Sequence, residues 1–353
     1  MRDDHAHLWP GVPMALASAA LFGASAPLSK LLVGVADPWL MAGVLYLGAG
    51  LGLAALSLFR RPLGLENPET PLGRADLPWI GATALFGGVL GPILLLFGLA
   101  SASAAAGSLL LNLEGLATLA IAWLVFRENV DRRLLIGAAA ILAGATLLSL
   151  KNGSFALEPG SLLIAGACLC WGIDNNLSRK LSAADPVQVA MVKGLVAGST
   201  NLVLALAEGA ALPSLPVLAA GAVVGFFGIG LSLVFFMLAL RHLGTARSGA
   251  YFSTAPFIGA VIGLILFRDP LTLTLVAAGA LIAIGLWLHL SERHDHWHEH
   301  EALEHEHLHV HDEHHRHDHE GPVTEPHSHW HRHEPMRHRH AHFPDLHHRH
   351  SHP

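Results

Sequence analysis

The chain has 353 residues, of which 52% are hydrophobic and only 14% charged, too few charges to clothe a soluble domain of this length. Its net charge of −6 is uneven: residues 1–290 carry 15 Lys+Arg and 14 Asp+Glu, whereas residues 291–353 carry 6 Arg, 13 acids and 23 of the 27 histidines. Two cysteines, Cys168 and Cys170, exclude a disulfide framework.

Met1–Trp9 is polar and lacks a signal-peptide layout, so the first apolar run is read as a retained helix. A helix of about 20 apolar residues crosses the ~30 Å hydrocarbon core. Ten stretches predict such spans: 13–33, 39–59, 77–99, 102–125, 133–150, 159–179, 187–208, 216–240, 246–267 and 271–290. The breaks carry proline after polar residues, as in Asp37-Pro38, Asp185-Pro186 and Asp269-Pro270, which ends one helix and starts the next. Trp9, Trp39, Trp79 and Trp287 fall near span ends, as an interfacial belt requires. One set of loops and termini holds Arg2, Arg60, Arg61, Arg74, Arg127, Arg132, Arg133, Arg179, Lys180, Arg241, Arg247 and Arg293; the other holds Lys151 and Arg268, with Lys30 near a span end. That bias predicts an integral multi-pass protein, in a bacterial inner or plasma membrane, with both termini cytoplasmic.

The chain also repeats itself. Phe22-Gly23 to Leu28-Ser29-Lys30 aligns with Trp171-Gly172 to Leu177-Ser178-Arg179, and Val125-Phe126-Arg127-Glu128 with Leu266-Phe267-Arg268-Asp269. Two five-helix halves follow, 13–150 and 159–290; five is odd, so the second enters the bilayer inverted. Such repeats place a substrate site near midplane between the halves. The fold class is an all-α membrane protein of ten helices in two inverted repeats, plus a disordered tail over 291–353.

These residues resemble the drug/metabolite transporter superfamily, in its ten-helix EamA-type members. Leu21-Phe22-Gly23, Cys170-Trp171-Gly172, Leu113-Glu114-Gly115, Thr254-Ala255-Pro256 and the two Phe-Arg-acid ends carry the resemblance over residues 13–290. The family usually has proline where Gly115 stands. The resemblance implies a transporter, often an exporter of amino acids, metabolites or drugs.

Ionisable groups inside spans are functional candidates because burial there is costly. Asp174 and Asn175 of the sixth span are expected to face a cavity, or else to pair near its end with Arg179 or Lys180. Lys193 is expected to snorkel to the interface, the alternative being an ion pair with Asp174. Glu114, beside Asn112 in the fourth span, faces the cavity or hydrogen-bonds within the bundle. Trp171 completes the substrate-binding set, and Asn201 reads as interhelical glue. Gly87/Gly91, Gly194/Gly198, Gly221/Gly225 and Gly259/Gly263 permit close packing within the bundle or a homodimer. Pro27, Pro92 and Pro256 are candidate kinks.

The tail interleaves histidine with acids and arginine and has no core. Neutral imidazole suits Zn, Ni and Co, so His294, His296, His298, His300, His305, His307, His309 and His311 are candidate ligands, either i,i+4 on a helix or as extended His-x-His. Near pH 6.5 protonation would reverse the tail's charge.

The leading expectation is a secondary active transporter, an exporter of small organic metabolites by alternating access. No nucleotide-binding Gly-x4-Gly-Lys motif occurs, and no catalytic constellation points to an enzyme. The alternative is a divalent transition-metal transporter with a metal-gathering tail, using Cys168, Cys170 and Asp174. The expected partners are the lipid bilayer, a small solute, divalent metal ions on the tail and no nucleic acid. No cofactor is required beyond labile Zn, Ni or Co.

Overall fold

The computed structural model describes residues 10–60, 71–125, 132–150, 158–181 and 184–290, with tail segments 294–300, 303–309, 327–333 and 336–342. Thirteen α-helices build the membrane part: α1 Gly11–Val33, α2 Pro38–Arg60, α3 Leu77–Thr83, α4 Gly91–Ser101, α5 Ala104–Leu110, α6 Leu113–Leu124, α7 Arg132–Ser149, α8 Pro159–Ser178, α9 Pro186–Ala207, α10 Leu215–Gly225, α11 Ser232–Phe252, α12 Ala255–Phe267 and α13 Leu273–Leu290. Among the described residues, eight stretches are long and apolar enough to cross a membrane. The sixth expected span, α8, is less apolar because it carries Asp174, Asn175 and Asn176, and the ninth contains the shorter α12.

Two irregularities recur in both halves. Ala84–Leu90 joins α3 to α4 as a π-helix, and Phe226–Leu231 joins α10 to α11 in the same way. The fourth span breaks at Leu111-Asn112, between α5 and α6, and the ninth breaks at Ser253-Thr254, ahead of α12. The expected eighth and ninth spans share α11, but that helix turns back. Phe236 and Phe252 have ring centroids 4.8 Å apart, whereas sixteen residues of straight helix rise about 24 Å.

Packing follows membrane rules: small residues line the contacts while Phe59, Leu124, Ile265 and Leu273 face outward. Gly23 lies against the backbone of Ala255, and a Cβ on Gly172 would stand 2.7 Å from the Cβ of Ala117. The motif glycines of the two halves thus seat α1 on α12 and α8 on α6. Gly194 meets Gly50 of α2, Gly221 meets Met41, and Gly263 meets Ala105. These small-residue pairs are used within the bundle. α12 ends at Arg268 in the left-handed region (φ 53°). Asp269 follows, and its carboxylate accepts from the Ala105 N–H at 3.2 Å.

Lys30 donates to the carbonyls of Leu99 and Ala102, each at 2.5 Å, closing the end of α4. Lys180 lies over Trp79 at 5.8 Å and Arg133 over Trp287 at 5.6 Å. Cations and aromatics therefore meet at span ends. In contrast, Trp39 Nε1 is buried with no hydrogen-bond partner among the described residues; Trp9 lies outside them.

The tail adds strands β1 His294–His300, β2 Leu303–His309, β3 His327–His333 and β4 Met336–His342, where composition gives no core. β1 pairs with β4 and β2 with β3, both antiparallel. Alternation of histidine with another residue is a strand period.

Candidate functional site

The site begins with a backbone irregularity. Within Ala84–Leu90 the hydrogen-bond register widens, so the Gly91 N–H bonds to the Phe86 carbonyl. Pro92 has no N–H to offer the carbonyls behind it. The Gly87 oxygen, five residues before Pro92, is taken instead by two side chains: Tyr46 Oη donates to it at 2.7 Å and Trp171 Nε1 at 3.0 Å. The Gly88 oxygen accepts from Asn201 Nδ2 at 2.9 Å. The π turn and the proline together make a polar patch on an apolar helix, satisfied from the second, sixth and seventh spans. An unsatisfied backbone group costs several kcal/mol in hydrocarbon.

Asp174 stands beside this patch. It is 6% exposed and forms an ion pair with Lys193. Ser178 Oγ donates to the other carboxylate oxygen at 3.4 Å. A Cβ on Gly87 would collide with Asp174 Oδ2 and stand 2.6 Å from Lys193 Nζ. Gly87 therefore provides the space in which the pair forms. Lys193 lies seven residues into α9, about 10 Å of helix rise. The expectation that it snorkels outward is corrected here: Asp174 holds it inside the bundle. Asp174 in turn pairs with Lys193 and not with Lys180, which lies over Trp79; the side chain of Arg179 lies outside the described ones.

Asn175 and Glu114 form a second group, between α8 and α6. Asn175 Nδ2 donates to Glu114 Oε1 at 2.9 Å and to Thr118 Oγ1 at 3.2 Å. Asn175 is exposed and Glu114 half-buried, so this group offers polar atoms where the ion pair is closed off. Next to it, Asn176 is buried and donates to the carbonyls of Gly172 and Thr118.

Asn112 was expected with Glu114 but turns to its own chain. Its Nδ2 donates to the Leu109 carbonyl at 2.9 Å, and no hydrogen bond joins it to the ion pair. The helix break gives the reason, because the residue must satisfy the backbone where α5 ends. Asn201 is fully buried between spans, and its Oδ1 has no partner among the described residues. Cys168 is buried with its thiol towards the Leu110 and Leu111 carbonyls. Among the described residues no three His, Cys, Asp or Glu side chains gather as metal ligands, so Cys168, Cys170 and Asp174 do not form the intramembrane set the metal-transport alternative needs. Of the tail ligands, His294 to His309 lie on β1 and β2, and His311 lies outside the described residues.

Three participants were not singled out in the sequence: Thr118, Tyr46 and Gly87. Tyr46 is one of only two tyrosines and sits in an apolar helix, which is a usable signal. Gly87 was read only as a packing residue; its signal is Pro92 five residues on.

The pattern that defines the EamA-like transporter family matches residues 9–150 and again residues 158–291. An uncharacterized transporter of Methanothermobacter thermautotrophicus is 30% identical over 282 residues, 75% of this chain and 81% of that protein. The uncharacterized transporter YyaM of Bacillus subtilis is 21% identical over 260 residues, 70% of this chain and 83% of that protein. A crystal structure 20% identical in sequence superposes with a TM-score of 0.58, covering 79% of this chain and 95% of that one; it speaks for the fold alone.

Proposed function

Since the chain belongs to the EamA-like transporter family, we propose that it is a secondary active exporter of small organic metabolites, such as amino acids or drugs. It works by alternating access around the Asp174–Lys193 pair. It resides in a bacterial plasma membrane with both termini cytoplasmic, in keeping with the arginine-rich loops.

The observation that carries this reading is the buried ion pair itself, set against a π turn where spans of both halves meet. A buried pair is a poor stabiliser, because desolvation offsets its Coulombic gain. It is a good exchange site. A zwitterionic solute can replace it without leaving a charge unpaired, its ammonium taking Asp174 and its carboxylate taking Lys193. Glu114, Asn175 and Thr118 then offer the more exposed polar surface for the solute's first contact. Trp171 Nε1 and Tyr46 Oη hold the third span in place through Gly87 while the pair is closed.

The test is uptake into proteoliposomes of amino acids and of Ni(II), Co(II) and Zn(II), with the full chain and with a chain ending at Leu290. Solute flux in both forms, abolished or uncoupled by Asp174→Asn, is expected. Metal flux that survives the truncation, without solute flux, would replace this reading by metal transport.

A further inference from the structure

The histidine tail takes no part in the site above, and its backbone register carries a separate reading. β1 and β2 form one arm, β4 and β3 the returning arm. His294 stands opposite His342 and His300 opposite Met336. Leu303 stands opposite His333 and His309 opposite His327. The second ladder continues the register of the first without a slip.

That register sets histidine against histidine. Residues two apart share a face of a strand, so His294, His296 and His298 share one face of β1. Directly opposite them are His342, His340 and His338. In the other pair His305, His307 and His309 stand opposite His331, His329 and His327. The histidines are even-numbered in the outer pair and odd-numbered in the inner one, so the parity changes between the two ladders.

Two charged pairs among the remaining positions agree with that register. The first arm is acidic and the second carries the arginines. Glu299 stands opposite Arg337, Trp297 opposite Arg339 and Glu304 opposite Arg332. Opposite charges directly across a ladder favour that pairing over slipped ones. A two-stranded ribbon without a core is marginal in water, however, and a structural metal is one of the staples that hold small elements of this kind.

We propose that the tail is a metal-closed ribbon. First-row transition ions such as Zn(II), Co(II) or Ni(II) bind across the strands, each between a His-x-His of one arm and a His-x-His of the other, at one place in each ladder. Two opposed His-x-His pairs mark a rectangle about 5 Å across and about 7 Å along the strands. Four imidazole donors in such a cluster match the coordination number of Zn(II) and the ligand preference of all three ions. His327, His329, His331, His338, His340 and His342 thereby join the ligands, and sequence spacing within the first arm is not what defines the site.

The test uses the full-length protein in detergent, with Co(II) as the probe and its visible absorption as the readout. Replacing His294, His296 and His298 by Ala should weaken the outer site at least tenfold. Replacing His338, His340 and His342 should do the same, and combining the six should cost no more than either three. Independent, additive losses from the two arms would overturn the shared site. The second readout is geometric. Nitroxides on Asp295→Cys and Ala341→Cys, with Cys168 and Cys170 replaced by Ala, should broaden each other's spectra when Zn(II) is added and recover with EDTA. Spectra that Zn(II) leaves unchanged would overturn the ribbon.

Discussion

Removing one member of the Asp174–Lys193 pair strands the other. The side chains are 8% and 17% exposed, so little solvent reaches a charge left behind. Breaking a buried pair from one side costs about 3–5 kcal/mol. Lys193 can extend towards water, so Asp174→Asn belongs near 3 kcal/mol and Lys193→Met nearer 5. Removing both, in Asp174→Asn/Lys193→Met, leaves no orphan charge, and the double variant should recover to within about 1 kcal/mol of the parent, so the two losses are strongly non-additive. Thermal unfolding in detergent, read by loss of the monodisperse peak, ranks the four proteins. Solute flux in proteoliposomes is then measured on the same set. Recovered stability without recovered flux is the expected outcome. A stable double variant that transports like the parent would refute the exchange argument and leave the pair a packing device. Single variants as stable as the parent would refute its burial.

Gly87→Ala places a methyl group against Asp174 and Lys193, so flux should fall at least tenfold. Gly115→Ala, where no atom lies within 4 Å, should leave flux unchanged in the same assay. Lys30→Met removes the donor from the Leu99 and Ala102 carbonyls. Hydrogen bonds to a charged group contribute about 1.5–3 kcal/mol, and a thermal-unfolding loss of that size is expected. Gly23→Val drives a side chain into the Ala255 backbone and should abolish the monodisperse peak on expression. Gly81→Ala, on an exposed helical position with open space around it, should instead raise stability by about 0.5–1 kcal/mol.

Spans, breaks and the paired motif glycines were legible because they rest on local chemistry: apolar length, proline after a polar residue, and a position with no room for a Cβ. Gly23 and Gly172 show this well, since each meets a partner helix at matching places in the two halves. Asp174, Asn175, Glu114 and Trp171 were legible as polar intrusions, but their grouping was not. Lys193 reads equally as a snorkelling residue until the distance to Asp174 is known. Asn112 beside Glu114 in sequence suggests a shared cavity, yet the break after Leu110 claims its side chain. The π turns left no periodicity to read, because one widened turn shifts the helix face by a residue without changing composition. The tail's pairing was present in the sequence as an acidic arm and an arginine-bearing arm. It went unread because histidine spacing alone suits a helix or a strand.

The Gly87 carbonyl oxygen has a mechanical consequence. It is held by Tyr46 of the first half and by Trp171 of the second. One atom is therefore a junction between two halves that the proposed alternating-access cycle would move relative to each other. In that cycle the Trp171 bond crosses between the halves, whereas the Tyr46 bond stays within the first. Trp171→Phe would then loosen the junction between the halves, while Tyr46→Phe would loosen the third span within its own half.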